Sequence, residues 1–200
     1  MFHFKSGLNV WIKGASLVWV ILLSSCVTEP APHSAGMKYS EAAIISVQDP
    51  SMAIKKGASF AWLPEAVHYY KDERLADMPV KQIIETEIMA NVQAQGMQVL
   101  KSVEQSQYAI AYTAALASAL DDHAIIRKFG LLPGYAQMPE DDKNVEKGSL
   151  IIYVFDNATK DIVWRSAAQV GVTFDMSMNE RRARVKRVVA EMFGSFPVKE

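Results

Sequence analysis

The chain has 200 residues, half of them apolar and 22% charged, which is enough apolar matter for one domain with a real core. Its formal net charge of −1 gives no general attraction to nucleic acid, and no nucleic-acid partner is expected. A single cysteine excludes any disulfide within the chain, so the core alone must hold the fold.

In chain order, Lys5 and Lys13 precede an apolar run from Ala15 to Leu23, and Leu23-Ser24-Ser25-Cys26 closes it. A basic segment, a short apolar segment and small residues form the layout of a secretory signal peptide. The run is too short to span a bilayer, which needs about 20 apolar residues. Its ending resembles the lipobox of bacterial lipoproteins. That resemblance implies removal of residues 1–25 and lipidation of the Cys26 thiol. Val27 stands where an Asp would imply retention at the inner membrane, so the resemblance implies sorting to the outer membrane. Residues 26–40 carry two prolines, a glycine and little apolar matter, and are expected to be the lipidated Cys and a flexible tether. Residues 41–200 are then one domain.

Ala42 to Val47 reads as a strand ended by the Asp49-Pro50 turn, and Ser59 to Leu63 as a second strand stopped by Pro64. Glu65 to Asp77 reads as loop. Val80, Ile84, Ile88 and Val92 recur every four residues, which predicts a helix over Pro79 to Gln95 with Asp77 near enough to cap it. Gly96 suits a left-handed cap. Short strands follow at Met97 to Leu100 and Tyr108 to Ala115, separated by a polar turn.

Leu116 to Lys147 reads as a long connection, a kind that usually carries function. It holds Asp121-Asp122-His123, an apolar cluster, and the acids Glu140-Asp141-Asp142. The cluster, Ile125, Ile126, Phe129, Leu131 and Leu132 with Tyr135 beyond it, is either a lid over the sheet or the contact surface for a partner or ligand. Leu150 to Phe155 is apolar on both faces and should be a central strand. The turn Asp156 to Asp161 makes it one arm of a hairpin, and Ile162 to Val172 returns with Ile162, Trp164 and Val170 on one face. Trp62 and Trp164 are expected in the core. A last helix is expected over Met178 to Phe193, opened by a capping box between Ser177 and Glu180. Its apolar stripe is Val185, Val188, Val189, Met192 and Phe193. The basic residues Arg181, Arg182, Arg184, Lys186 and Arg187 are expected on its water-facing side. There they either only solvate the helix or meet anionic lipid head groups or an acidic partner, with Arg181, Arg182 and Arg184 the candidates for that contact.

Three motifs, taken in this order, resemble the family called domain of unknown function 4136, small lipoproteins of bacterial envelopes. They are Ser59-Phe60-Ala61-Trp62-Leu63-Pro64, the hairpin from Gly148 to Asp156 and Ile162 to Arg165, and the terminal helix ending in Phe196-Pro197. Relatives often carry a glycine- and tyrosine-rich loop before the hairpin; here that loop is longer, more charged, and has only Gly130, Gly134 and Tyr135. The expected fold is α+β, a mostly antiparallel sheet of five or six strands with two amphipathic helices packed on one face.

No catalytic set is legible. His68 and His123 have no second histidine at ligand spacing, and zinc needs three or four converging ligands. Asp121, Asp122 and His123 therefore read as an exposed turn and Asp141-Asp142 as solvated charge. No metal and no cofactor are expected. The function expected is that of a non-enzymatic, outer-membrane-anchored lipoprotein facing the periplasm and contacting other envelope components. The alternative is a module that binds a small or polymeric envelope ligand, for which a deep pocket with converging polar groups would be the sign.

Overall fold

A computed structural model describes residues 41–135 and 142–199. The leader, Cys26, the tether to Ser40 and the acids Glu140 and Asp141 lie outside the described residues.

The framework is three long strands. β6 (Tyr108–Leu116), β7 (Val145–Asp156) and β8 (Ile162–Thr173) pair antiparallel in sequence order. The β7–β8 hairpin forms where Asp156 to Asp161 are turn formers, and Lys160 takes the one positive φ of any non-glycine residue described, 68°. β7 is buried on both faces from Ile151 to Val154, as a central strand must be. β1 (Ala43–Gln48) adds antiparallel to the far edge of β8.

The other side of β6 is parallel, a departure from the expected antiparallel sheet. β3 (Ser59–Trp62) and β4 (His68–Tyr69) both run parallel to β6, and β5 (Gln98–Val99) runs parallel to β3. The physical cause is α1 (Val80–Ala94), which lies between Trp62 and Gln98. A helical crossover returns the chain in the same direction, whereas a hairpin reverses it. The result is a mixed seven-stranded sheet, ordered β1-β8-β7-β6-β3-β5 with β4 beside β6, in place of five or six strands. A separate parallel pair joins β2 (Ile54–Lys55) to β9 (Val198–Lys199).

Three helices, not two, cover this sheet. α1 and α3 (Met178–Phe193) share one face, where Ile84, Ile88, Val188, Val189 and Met192 pack on Ile110, Tyr112, Ile152 and Trp164. Trp164 is fully buried there, with Phe196 edge-on at 5.0 Å and Phe193 at 5.3 Å. α2 (Asp122–Phe129) covers the opposite face through Ile125 and Phe129, against Ala111, Ile151, Tyr153 and Ala167.

Local signals explain the helix ends. The capping box between Ser177 and Glu180 is formed, and Gly96 takes φ +80° after α1. Asp77 does not cap α1: Pro79 holds the cap position and no side chain bonds there. One face assignment also changes. Phe155 pairs with Ile162 but Val154 pairs with Trp164, a bulge that leaves Val163 as the extra residue. Val163 and Trp164 therefore both enter the core, and Ile162 is exposed rather than sharing a face with Trp164.

Candidate functional site

Where α1 and α3 cross the sheet, the packing does not close. Ala114 on β6, Gly148 on β7 and Ala168 on β8 are small, and the apolar side chains that the helices present above them are Val80, Ile84, Val185 and Val188. A cavity of about 130 Å³ remains, with walls almost wholly apolar. Gly148 is needed in this wall, because a Cβ there would stand 2.6 Å from Cγ2 of Val172. The lining residues Tyr69, Val172, Met176 and Val185 are half-buried and Tyr70 is exposed, which places the opening on their side.

Two arginines line this cavity, and here the sequence expectation fails. Arg181 and Arg184 do not face water with Arg182; they retain only 5% and 9% exposure. The reason is helical geometry. Arg181, Arg184 and Val188 stand at i, i+3 and i+7, so both arginines lie over the same stripe as the apolar residues. Arg182, Lys186 and Arg187 are exposed.

The two buried arginines differ in what they meet. Arg181 donates from Nη2 to the carbonyl oxygens of Thr173 at 2.9 Å and Phe174 at 3.4 Å, and its Nε lies 3.1 Å from Sδ of Met78. It closes the end of β8. Arg184 has no such partners among the described residues. Its Nε and Nη2 are buried and donate to nothing among the described residues. Burial lowers the pKa of the Arg184 guanidinium from its ordinary value; the Tyr135 phenol opposes that shift, while Arg187 and Arg181 reinforce it as like charges. Burial likewise lowers Arg181, against the favourable influence of Tyr69 and Asp175. A buried guanidinium without acceptors is costly, and an anion is what relieves that cost.

The apolar cluster of the long connection is a lid on the other face of the sheet. Ile125, Phe129 and Leu131 are buried and Leu132 is partly buried against them, while Ile126 is 50% exposed. Tyr135 is half-buried, and its backbone N–H donates to Oε1 of Gln169 at 3.2 Å. Of the sequence candidates, the fold brings Tyr135 toward Arg184; it sends Ile125, Phe129 and Leu131 into a separate core. Asp121 caps α2 by accepting from the Ala124 N–H at 2.7 Å, and Asp122 pairs with Lys147. Asp142 accepts from the Asn144 N–H at 3.1 Å. Among the described residues, no three His, Cys, Asp or Glu side chains converge as a metal site would require.

A second depression, about 540 Å³, lies beside the β7–β8 turn and is lined by polar residues including Glu104, Gln107, Asp156 and Asn157. Its polar groups serve the fold. Asn157 Nδ2 donates to the carbonyls of Val103 and Ser106 at 2.6 and 3.1 Å, and Oε1 of Gln107 accepts from the Ser59 N–H at 3.1 Å. Of the two, the cavity under α3 is the better candidate because Arg184, which lines it, keeps buried donors without acceptors among the described residues.

Residues 46–198 match the model of a protein family described as domain of unknown function (DUF4136). No curated protein matches the chain. Among solved structures, a DUF4136 family protein from Bacteroides thetaiotaomicron is 14% identical, with a TM-score of 0.47, over 77% of this chain and 95% of that one. The PelC dodecamer from Paraburkholderia phytofirmans is 8% identical, with a TM-score of 0.44, over 80% of this chain and 100% of that one. Lipoprotein GNA1162 from Neisseria meningitidis is 10% identical, with a TM-score of 0.39, over 69% of this chain and 99% of that one.

Proposed function

The chain belongs to the DUF4136 family, and from that premise we propose that it is a non-enzymatic envelope lipoprotein whose domain binds a small ligand in the cavity beneath α3. Anchoring is read from Leu23-Ser24-Ser25-Cys26, with the Cys26 thiol as the lipid acceptor and Val27 directing the protein to the outer membrane, facing the periplasm. Among the described residues, no helix is long and apolar enough to cross a membrane. The tether to Ser40 would place the domain within reach of the bilayer: fourteen residues extend at most about 46 Å.

One observation carries the choice between ligand binding and a protein-interaction surface. The apolar cluster of the long connection, which would have offered a flat patch to a partner, spends Ile125, Phe129 and Leu131 on the core. The sheet's other face instead holds an apolar cavity with a buried cation. Pockets of this kind, apolar with a few placed polar groups, are the usual form of a small-molecule site.

The anchor is tested with Cys26→Ser in intact cells. Loss of the protein from the outer-membrane fraction, or accumulation of an uncut form, supports the proposal. A processed variant still in that fraction would show that the thiol is not the anchor.

A further inference from the structure

We infer that the cavity beneath α3 takes a single-chain anionic amphiphile, with its aliphatic chain among the apolar walls and its carboxylate or phosphate paired with Arg184. This rests on the reading of the domain as a ligand-binding module and adds the ligand's chemical class.

The chain end follows from volume and lining. The cavity of about 130 Å³ is walled by Val80, Ile84, Leu150, Val170, Val185 and Val188. Apolar cavities near 150 Å³ stay dry and accept a benzene-sized guest, so about six carbons can lie within this one. A longer chain would extend past Tyr70 and Met176 at the opening.

The head group follows from the unpartnered donors. Arg184 is nine-tenths buried, lines the cavity, and keeps Nε and Nη2 without acceptors among the described residues. A guanidinium offers a planar fork that fits a carboxylate or phosphate edge. Arg181, the other cation of the wall, already donates to Thr173 and Phe174, so it contributes charge rather than free donors. Two cations in one apolar wall reject a cationic ligand. An uncharged alcohol of the same chain offers the fork a single oxygen and no charge, so it pairs more weakly than a carboxylate or phosphate edge. Burial of the Arg184 charge is what makes an anion there valuable, since the pairing takes place out of water.

The test uses the full chain in phosphatidylcholine nanodiscs, titrated with octanoate labelled at its carboxyl carbon and followed by NMR, with empty nanodiscs as the reference. Octanol, octyl phosphate and octyltrimethylammonium serve as competitors. Saturable octanoate binding is expected, matched by octyl phosphate, and about tenfold or more tighter than octanol or the cation. Arg184→Gln should weaken octanoate by about tenfold while leaving octanol binding nearly unchanged, and Arg184→Lys should restore part of the loss. Val185→Phe should weaken octanoate and octanol together. Phosphatidylglycerol added to the nanodisc distinguishes the source of ligand: competition with octanoate supports a bilayer lipid, and no competition supports a free amphiphile.

Equal affinity for octanoate, octanol and the ammonium compound in the unmodified protein would overturn the head-group assignment, and needs no variant to fold. If Val185→Phe still abolished that binding, the ligand-binding reading would stand without its anion. No saturable binding by any of the four would defeat both.

Discussion

Gln169, fully buried on β8, donates from Nε2 to Oδ1 of Asp122 at 2.8 Å. The same carboxylate takes Lys147 Nζ on its Oδ2. One side chain thus ties the first turn of α2 to two strands of the sheet. The tie matters because α2 has eight residues, too few to be stable alone.

Asp122→Ala should therefore loosen the lid while sparing the three long strands. It leaves the Gln169 amide and the Lys147 ammonium short of a partner, at a cost of about 1–3 kcal/mol. Chemical denaturation reads the total. Hydrogen exchange should show the amides of Ile125 to Phe129 opening faster, with little change in β6 to β8. Uniform loss of protection across the sheet would mean that α2 is not a separable lid.

Acid should act through the same contact. Burial raises the Asp122 carboxyl, but the bonds from Lys147 and Gln169 outweigh it, and its pKa is lowered overall. Glu146 is alike: burial raises it, while the Ser118 N–H and Arg74 bring it below its ordinary value. A carboxyl with a lowered folded pKa contributes stability that is present above its unfolded value, near 4, and is lost as the pH falls through the folded one. The melting temperature should fall as the pH drops below about 4, and fall less steeply in Asp122→Asn. An unchanged slope in that variant would remove Asp122 from the explanation.

The two buried arginines should separate on replacement by methionine. Arg181→Met leaves the Thr173 and Phe174 carbonyls without their donor and should cost about 1–3 kcal/mol. Arg184→Met removes a buried charge that has no acceptor among the described residues, so stability should hold or rise. Thermal melts of both variants decide this. A large loss in Arg184→Met would mean that its guanidinium is satisfied within the fold.

The hairpin, Trp164 and the stripes of α1 and α3 were legible because each follows a local rule: period two, period four, a capping box. The lid was legible as an apolar cluster but its helix was not, because Asp121, Asp122 and His123 look like a charged turn and eight residues are too few to show a helical period until Ile125 and Phe129 have a sheet to pack on. β4 and β5 are two residues each, and their direction is set by β6 and β3 rather than by their own composition. The cavity was hidden for a similar reason. Ala114, Gly148 and Ala168 are small residues on three different strands, and only register brings them together beneath α3. Arg181 and Arg184 could have been placed. Their spacing to Val188 puts them on the apolar stripe, whereas charge alone points them to water.

The most direct measurement of the central claim is the melting temperature of the full chain in phosphatidylcholine nanodiscs, with and without saturating octanoate. A ligand that binds the folded state raises it by mass action, by about 2.7 kcal/mol of stability at one hundred times the dissociation constant. The unmodified protein should gain stability with octanoate, and Val185→Phe, whose added ring occupies the cavity, should gain none. An unchanged melting temperature in the unmodified protein, or an equal gain in both, would contradict a ligand site beneath α3.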